Sequence, residues 1–224
     1  MTTRKTTLDR INRINASRMS RRRAMQAGMA GAAGLAAAGA YSSVGASLQD
    51  ATPEPTRGGR MVIASTGQPA GLDVQLFNNR TVTLIAWNMF EALFTFDADY
   101  ATVPMLAEGI EVSEDGLTNT ITLRQGVPFH NGEVMVANDV VASFNRWMPI
   151  SALGQAIQEF LESITAVDDS TVEITLTSPL VALPSMLARQ SQGLAIMPAS
   201  IMEGASGEPL PEESYIGTGP YRFV

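Results

Sequence analysis

The sequence predicts a mixed α/β (α+β) fold, and three observations carry that prediction. Apolar residues recur at helical spacing over 82–93, 140–148 and 157–164, the mark of helices with one buried face. Among these stand runs such as LTNTITL and VEITL, in which apolar and polar residues alternate as they do in half-buried strands. Of the 224 residues, 45% are hydrophobic, enough to fill the cores of one or two packed domains.

The elements follow in order. MVIAS, residues 61–65, is a short apolar run suited to a buried strand, and TGQPAG after it is a loop. From Thr81, the residues Val82, Ile85, Met89, Phe90 and Leu93 place one apolar face on a helix, and LFTFD then alternates as a strand. Ile110 and Val112 alternate with Gly109 and Glu111, and Glu114-Asp115-Gly116 is a turn. In the next strand Leu117, Ile121 and Leu123 oppose a ladder of Thr118, Thr120 and Thr122, so one face is packed and the other wet. Asn138-Asp139 opens a helix carrying Val140, Val141, Phe144, Trp147 and Met148, and a second helix is expected to carry Ile157, Phe160, Leu161 and Ile164. A hairpin turning at Asp168-Asp169-Ser170 comes next, with Val172, Ile174 and Leu176 on its packed face. A short helix over 179–188 and a buried strand at LAIM, residues 194–197, complete the expected elements, and Arg222-Phe223-Val224 begins like a further strand.

Charge is distributed unevenly. The chain holds 15 basic and 22 acidic residues, a net charge of −7, yet eight of the basic residues precede Ala24. That basic start runs into SRRRAMQAGMAGAAGLAAAGA, residues 20–40, which has the layout of an export signal: charged, then apolar, then small. Arg21-Arg22 after Ser20 makes it a twin-arginine candidate and the twin-arginine export machinery an expected partner, although Ala24 stands where a bulky apolar residue is usual. With only Met25, Met29 and Leu35 as larger apolar groups, the segment is too poor in bulk to span a membrane stably. Cleavage fits after Ala40 or after Ala46, and both remain open. The signal is thus placed over residues 1–46 and a polar, Pro-containing linker over 47–59.

Removing residues 1–40 takes away eight basic residues and one acidic one, leaving 7 against 21 and a net of −14. A chain this acidic is repelled by phosphate backbones and anionic lipid, which argues against nucleic-acid or membrane-surface binding. The absence of cysteine excludes a disulfide framework, a thiol nucleophile, a Cys-based zinc site and a lipid-bearing N-terminal cysteine. The single histidine, His130, lies in LRQGVPFHNG. Catalysis there would need a nucleophile and an orienting acid converging on it, and no serine stands in a nucleophile-elbow context. One His without Cys supplies no protein-only nickel or zinc shell either. The bottom-up reading is structural: Asn131-Gly132 suits a tight turn between strand and helix, and Arg124 is placed for a structural ion pair.

These pieces, in this order, resemble the family 5 solute-binding proteins of ABC importers, the peptide and nickel type. The resemblance rests on Gly58-Gly59, Leu72-Asp73, Phe90-Glu91-Ala92-Leu93, Pro104-Met105-Leu106-Ala107-Glu108 and Asp115-Gly116-Leu117. It continues through LRQGVPFHNG with Asn138-Asp139-Val140, the hairpin at 167–172, and Gly217-Thr218-Gly219-Pro220-Tyr221. Departures are Val74 for a proline, Asn131 for an aspartate, Ile110 for a tryptophan, and Val136 for a capping threonine whose loss costs on the order of 1 kcal/mol.

The resemblance implies a two-lobed periplasmic-binding-protein-like type II fold, with residues 60–80 and 190–224 in the first lobe and residues 81–189 as a smaller α/β lobe. Full members are about twice this long, so the C-terminal half of that fold is expected to be absent here. It further implies an extracytoplasmic subunit, which captures a small solute and delivers it to the ABC permease subunits; the export layout and the missing cysteine make that subunit an expected soluble, periplasmic one without a lipid anchor. The solute is oligopeptide-like, a metal chelate or a sugar, and the resemblance implies neither catalysis nor a cofactor. By alignment the ligand residues are Phe77, Asn78, Asn79 and Arg80 in the loop after Leu72-Asp73, and Gly154 in the segment 149–155. Arg80 can meet a carboxylate and the two Asn side chains can bond peptide groups, whereas an ordinary exposed polar loop is the plainer reading. Two other functions stand against binding: a non-binding truncated remnant of such a protein, and a secreted hydrolase.

Overall fold

The alternation in LTNTITL and VEITL builds the centre of a four-stranded antiparallel sheet. Residues 58–65 and 67–224 are described by a computed structural model; the export segment with Arg21-Arg22, and the linker up to residue 57, lie outside the described residues. In chain order the strands are β1 (Phe94–Phe96), β2 (Thr102–Pro104), β3 (Ala107–Val112), β4 (Thr118–Leu123), β5 (Leu161–Asp168) and β6 (Thr171–Leu176), and the helices are α1 (Arg80–Ala86), α2 (Ala137–Ile150), α3 (Ala152–Gln158), α4 (Leu183–Leu187) and α5 (Ala199–Met202). β1 and β2 form a small ribbon, and the larger sheet has the order β3-β4-β6-β5. Thr118 faces Thr175, Ile121 faces Val172 and Thr122 faces Thr171 across its centre. Ile121, Leu123, Val172, Ile174 and Leu176 are buried on one face, as the alternation requires. Asn119 also points inward, and its amide nitrogen is without a partner.

Two exposed aspartates lock the turns of this sheet. The Ser113 hydroxyl and then the Leu117 N–H hold the Asp115 carboxyl below its ordinary value. The Ser170 N–H, then its hydroxyl and that of Thr171, do the same for Asp168. Because these pKa values are lowered on folding, their contribution is present above the ordinary aspartate range and is lost as pH falls through the folded values.

α2 organises the core. Val140, Phe144 and Trp147 pack with the sheet, α3 and α4 in the larger apolar cluster, while Ala142 belongs to a second cluster with Leu72, Val82, Phe90, Met197 and Tyr215. Its buried polar residues, Asp139, Ser143 and Arg146, find partners outside the helix, Arg146 with all but its Nε. Ser143 Oγ accepts from the Met197 N–H at 3.0 Å, and Asp139 Oδ1 accepts from the Ala199 N–H at 2.7 Å. Val136 at the N-cap offers no side-chain acceptor, but Asp139 Oδ2 accepts from the Val136 N–H at 2.8 Å, so half of a capping box survives the missing threonine. Arg146 forks onto Asp73, with Nη2 to Oδ2 at 2.6 Å and Nη1 to Oδ1 at 3.2 Å, and Nη1 also donates to Gln75 Oε1 at 2.8 Å. This ion pair is buried, and it ties the loop after residue 71 to the middle of the fold. Arg60–Val224 accordingly packs as one compact unit.

Several elements differ from the sequence expectation. The run 61–65 forms no strand and is exposed, Val62 by 79%, because no described segment pairs with it. The helix begun at Arg80 stops at Ala86: Trp87 caps it, and residues 90–93 run on outside any helix, mostly buried, with Ile196 N–H donating to Glu91 O at 3.0 Å. The helix expected to reach Ile164 ends at Gln158, and Leu161 and Ile164 enter β5, where Ile164 faces Ile174. An apolar spacing of three or four residues is compatible with either element when a turn at Phe160 resets the phase. LAIM is fully buried but is not a strand, since Gln75 and Ser143 side chains satisfy its backbone. Residues 222–224 are likewise outside any strand. Arg124 forms no ion pair among the described residues; its Nε donates to Met105 O at 2.5 Å.

His130 has a structural task. Its Nδ1 accepts the Gly217 N–H at 3.3 Å and its Nε2 lies 2.8 Å from Gly219 O, so the proton belongs on Nε2. The His130 N–H donates in turn to Gly217 O at 2.9 Å. The imidazole thus clamps the GTGP segment against the turn at Asn131-Gly132. His130→Ala should cost about 1–2 kcal/mol for two lost hydrogen bonds, measured by denaturant unfolding, with ligand affinity unchanged. A tenfold loss of affinity at unchanged stability would place the ring in the ligand site instead.

Candidate ligand-binding site

The cavity that collects the expected ligand segments measures about 930 Å³, within the range of roughly 300–1,000 Å³ of small-molecule sites. Asn78 forms one wall, and the α2–α3 junction, Ser151 to Leu153, forms a second. Ser185 and Met186 of α4 and the loop 189–192 form a third, while Phe96 and Tyr100 stand at the β1–β2 ribbon.

The loop 189–192 is held by its backbone. The Trp87 indole donates to Gln190 O at 2.8 Å and the Trp147 indole to Gln192 O at 2.6 Å. Ser151 Oγ donates to the same Gln192 O at 3.2 Å, and Gln192 Nε2 donates to Leu76 O at 2.9 Å. The Ser191 hydroxyl donates to Asn78 Oδ1, closing the loop onto the opposite wall. With the carbonyls engaged inward, the loop presents its side chains at a fixed rim.

The residues expected from alignment divide. Asn78 lines the cavity. Its neighbour Asn79 is the N-cap of α1, its Oδ1 accepting the Val82 N–H at 2.9 Å. Phe77 packs on the second apolar cluster, and Arg80 is exposed in the first turn of α1. Gly154 is buried behind Leu153, where an added Cβ would lie 2.5 Å from Met148 O. Sequence reasoning missed Tyr100, Ser185 and the run Arg189-Gln190-Ser191-Gln192. A signal for the latter existed: four polar residues between the apolar α4 and the buried LAIM need a reason to be there.

Chemically the cavity offers hydroxyls, amides, two aromatic rings and one guanidinium, with no carboxylate or imidazole among its described lining residues. Such a set can orient a solute through hydrogen bonds and stacking. Among the described residues no group of three or more His, Cys, Asp or Glu is placed to hold a metal ion, and no helix is long and apolar enough to cross a membrane.

The chain is 34% identical over 165 residues to the glutathione-binding protein GsiB of Pectobacterium atrosepticum, an alignment covering 73% of this chain and 31% of that protein. Among solved structures it resembles the periplasmic binding protein AgaA of A. tumefaciens R10 in complex with agropinic acid, with a TM-score of 0.61 and 28% identity over 70% of this chain and 32% of that one. It also resembles the ABC transporter-associated periplasmic binding protein DppA of Helicobacter pylori with the peptide STSA, with a TM-score of 0.59 and 26% identity over 69% and 34% of the two chains. The chain therefore spans about a third of the length of the relatives it matches. Residues 101–224 match the family model described as the middle part of the bacterial extracellular solute-binding proteins, family 5, and the chain belongs to that family.

Proposed function

We propose that the protein is the extracytoplasmic substrate-binding component of an ABC importer, which captures a peptide or peptide-like solute and passes it to the permease subunits. The observation that carries this is the cavity of about 930 Å³, lined by polar and aromatic side chains around the indole-anchored loop in a member of family 5. Residues 60–80 with 190–224 are assigned to one lobe and residues 81–189 to the smaller one, with the cavity where the two sets meet. Asn78 serves as a ligand residue, while Phe77, Asn79, Arg80 and Gly154 support the loops that bear it. Relatives named for glutathione and for peptides support that ligand class, and a solved relative holding a nickel–histidine chelate keeps a metal chelate as the second.

Calorimetric titration with peptides of two to five residues and glutathione, against disaccharides and a nickel–histidine chelate, tests the reading. Saturable one-to-one binding within the peptide group is expected. Binding of the sugar or chelate alone would replace the ligand class, and saturable binding of none would overturn the function.

A further inference from the structure

Resting on the reading of this cavity as the ligand site, we propose that Tyr100 is a specificity-determining residue there. Its ring is a fixed platform on which a flat aromatic group of the solute stacks, so that among peptide-like solutes the protein selects those with an aromatic side chain. Two non-glycine residues among those described have a positive φ, Tyr100 at 62° and Gln192 at 46°, and both line the cavity. A bulky side chain disfavours that backbone region, which glycine enters freely. Residues held there against their preference concentrate at ligand sites, because only a structure that over-determines them keeps them in place.

The turn from β1 to β2 supplies that determination. Asp97 Oδ1 accepts the N–H groups of Asp99 and Ala101, both at 2.9 Å, the Asp97 N–H donates to Ala101 O at 3.0 Å, and the Tyr100 N–H donates to Asp97 O at 3.2 Å. Glycine would fill position 100 of this turn without strain, so the turn does not ask for a phenol ring. Neither does the core, since Tyr100 is 85% exposed. A pre-fixed ring with a free face costs little further ordering when a solute settles on it.

The rest of the lining chooses the chemistry of the stacked group. Phe96, Leu153 and Met186 also line the cavity, each half-buried against the larger apolar cluster. A second ring and a thioether favour an aromatic group over an aliphatic one of similar size. A cation, the other partner of a tyrosine face, would meet Arg189 and no carboxylate among the described lining residues.

Equilibrium dialysis of tripeptides Ala-X-Ala, with X phenylalanine or tryptophan in one group and leucine or isoleucine in the other, tests the assignment. The aromatic group should be retained about tenfold more tightly than the aliphatic one. Tyr100→Gly should abolish that preference without lowering the melting temperature, because glycine suits the positive φ, and Tyr100→Phe, which keeps the ring, should preserve it. Equal retention of the two groups by the unaltered chain, or an aromatic preference that survives in Tyr100→Gly, would overturn the role of Tyr100 and leave the binding function standing. Retention of neither group would overturn the proposed function, and this assignment with it.

Discussion

Asp73→Ala should lower the unfolding free energy by about 3–5 kcal/mol, the usual cost of stripping one partner from a buried ion pair. Asp73 is fully buried and Arg146 is 4% exposed, so water cannot take the place of the lost carboxylate. The guanidinium has little reserve, because its Nε already has no partner. Asp73 Oδ2 also accepts from the Leu210 N–H at 3.3 Å, and that donor would be orphaned as well. The physical signature lies in the pair. Joining Asp73→Ala with Arg146→Met should be milder than Asp73→Ala alone, since the uncompensated charge leaves with the arginine. Urea unfolding of the two single variants and the double variant measures this, and a single-variant loss below about 1 kcal/mol would show that the pair is hydrated in solution.

Trp147→Ala should cost a comparable amount, about 3–5 kcal/mol, because the indole is fully buried against Phe144 and its removal opens a large cavity in the core. Trp147→Phe separates packing from function. Phenylalanine keeps most of the apolar contact but cannot donate to Gln192 O, so the expected stability loss is smaller, while the loop 189–192 loses one of its two indole anchors. Peptide binding measured by calorimetry should weaken in Trp147→Phe by more than its stability loss alone would suggest. Unchanged affinity would mean that Trp87 and Ser151 hold the loop without it.

How far the sequence could be read follows from what each signal measures. The Thr-and-aliphatic alternation of β4 and β6 was legible because a strand with one wet face and one dry face records its own orientation in every second residue. α2 was legible as a helix, yet not as one buried nearly all round: Asp139, Ser143 and Arg146 look like a solvated face until their distant partners Ala199, Met197 and Asp73 are in place. Phe160 to Ile164 were misassigned because the helical spacing runs across a turn into β5.

At the site, alignment reached Asn78 and the segment beside Gly154 but passed over Arg189 and its loop. The sequence by itself determined the element types in the sheet, the family resemblance, the excess of acid and the scarcity of cations, since these depend on local pattern and composition. Only the tertiary structure decided which cation faces the cavity, that His130 clamps Gly217 and Gly219, and that Arg146 is spent on Asp73. Each of those depends on contacts between residues 45 to 89 positions apart, and a side chain's partner across such a separation is set by packing that no local pattern encodes.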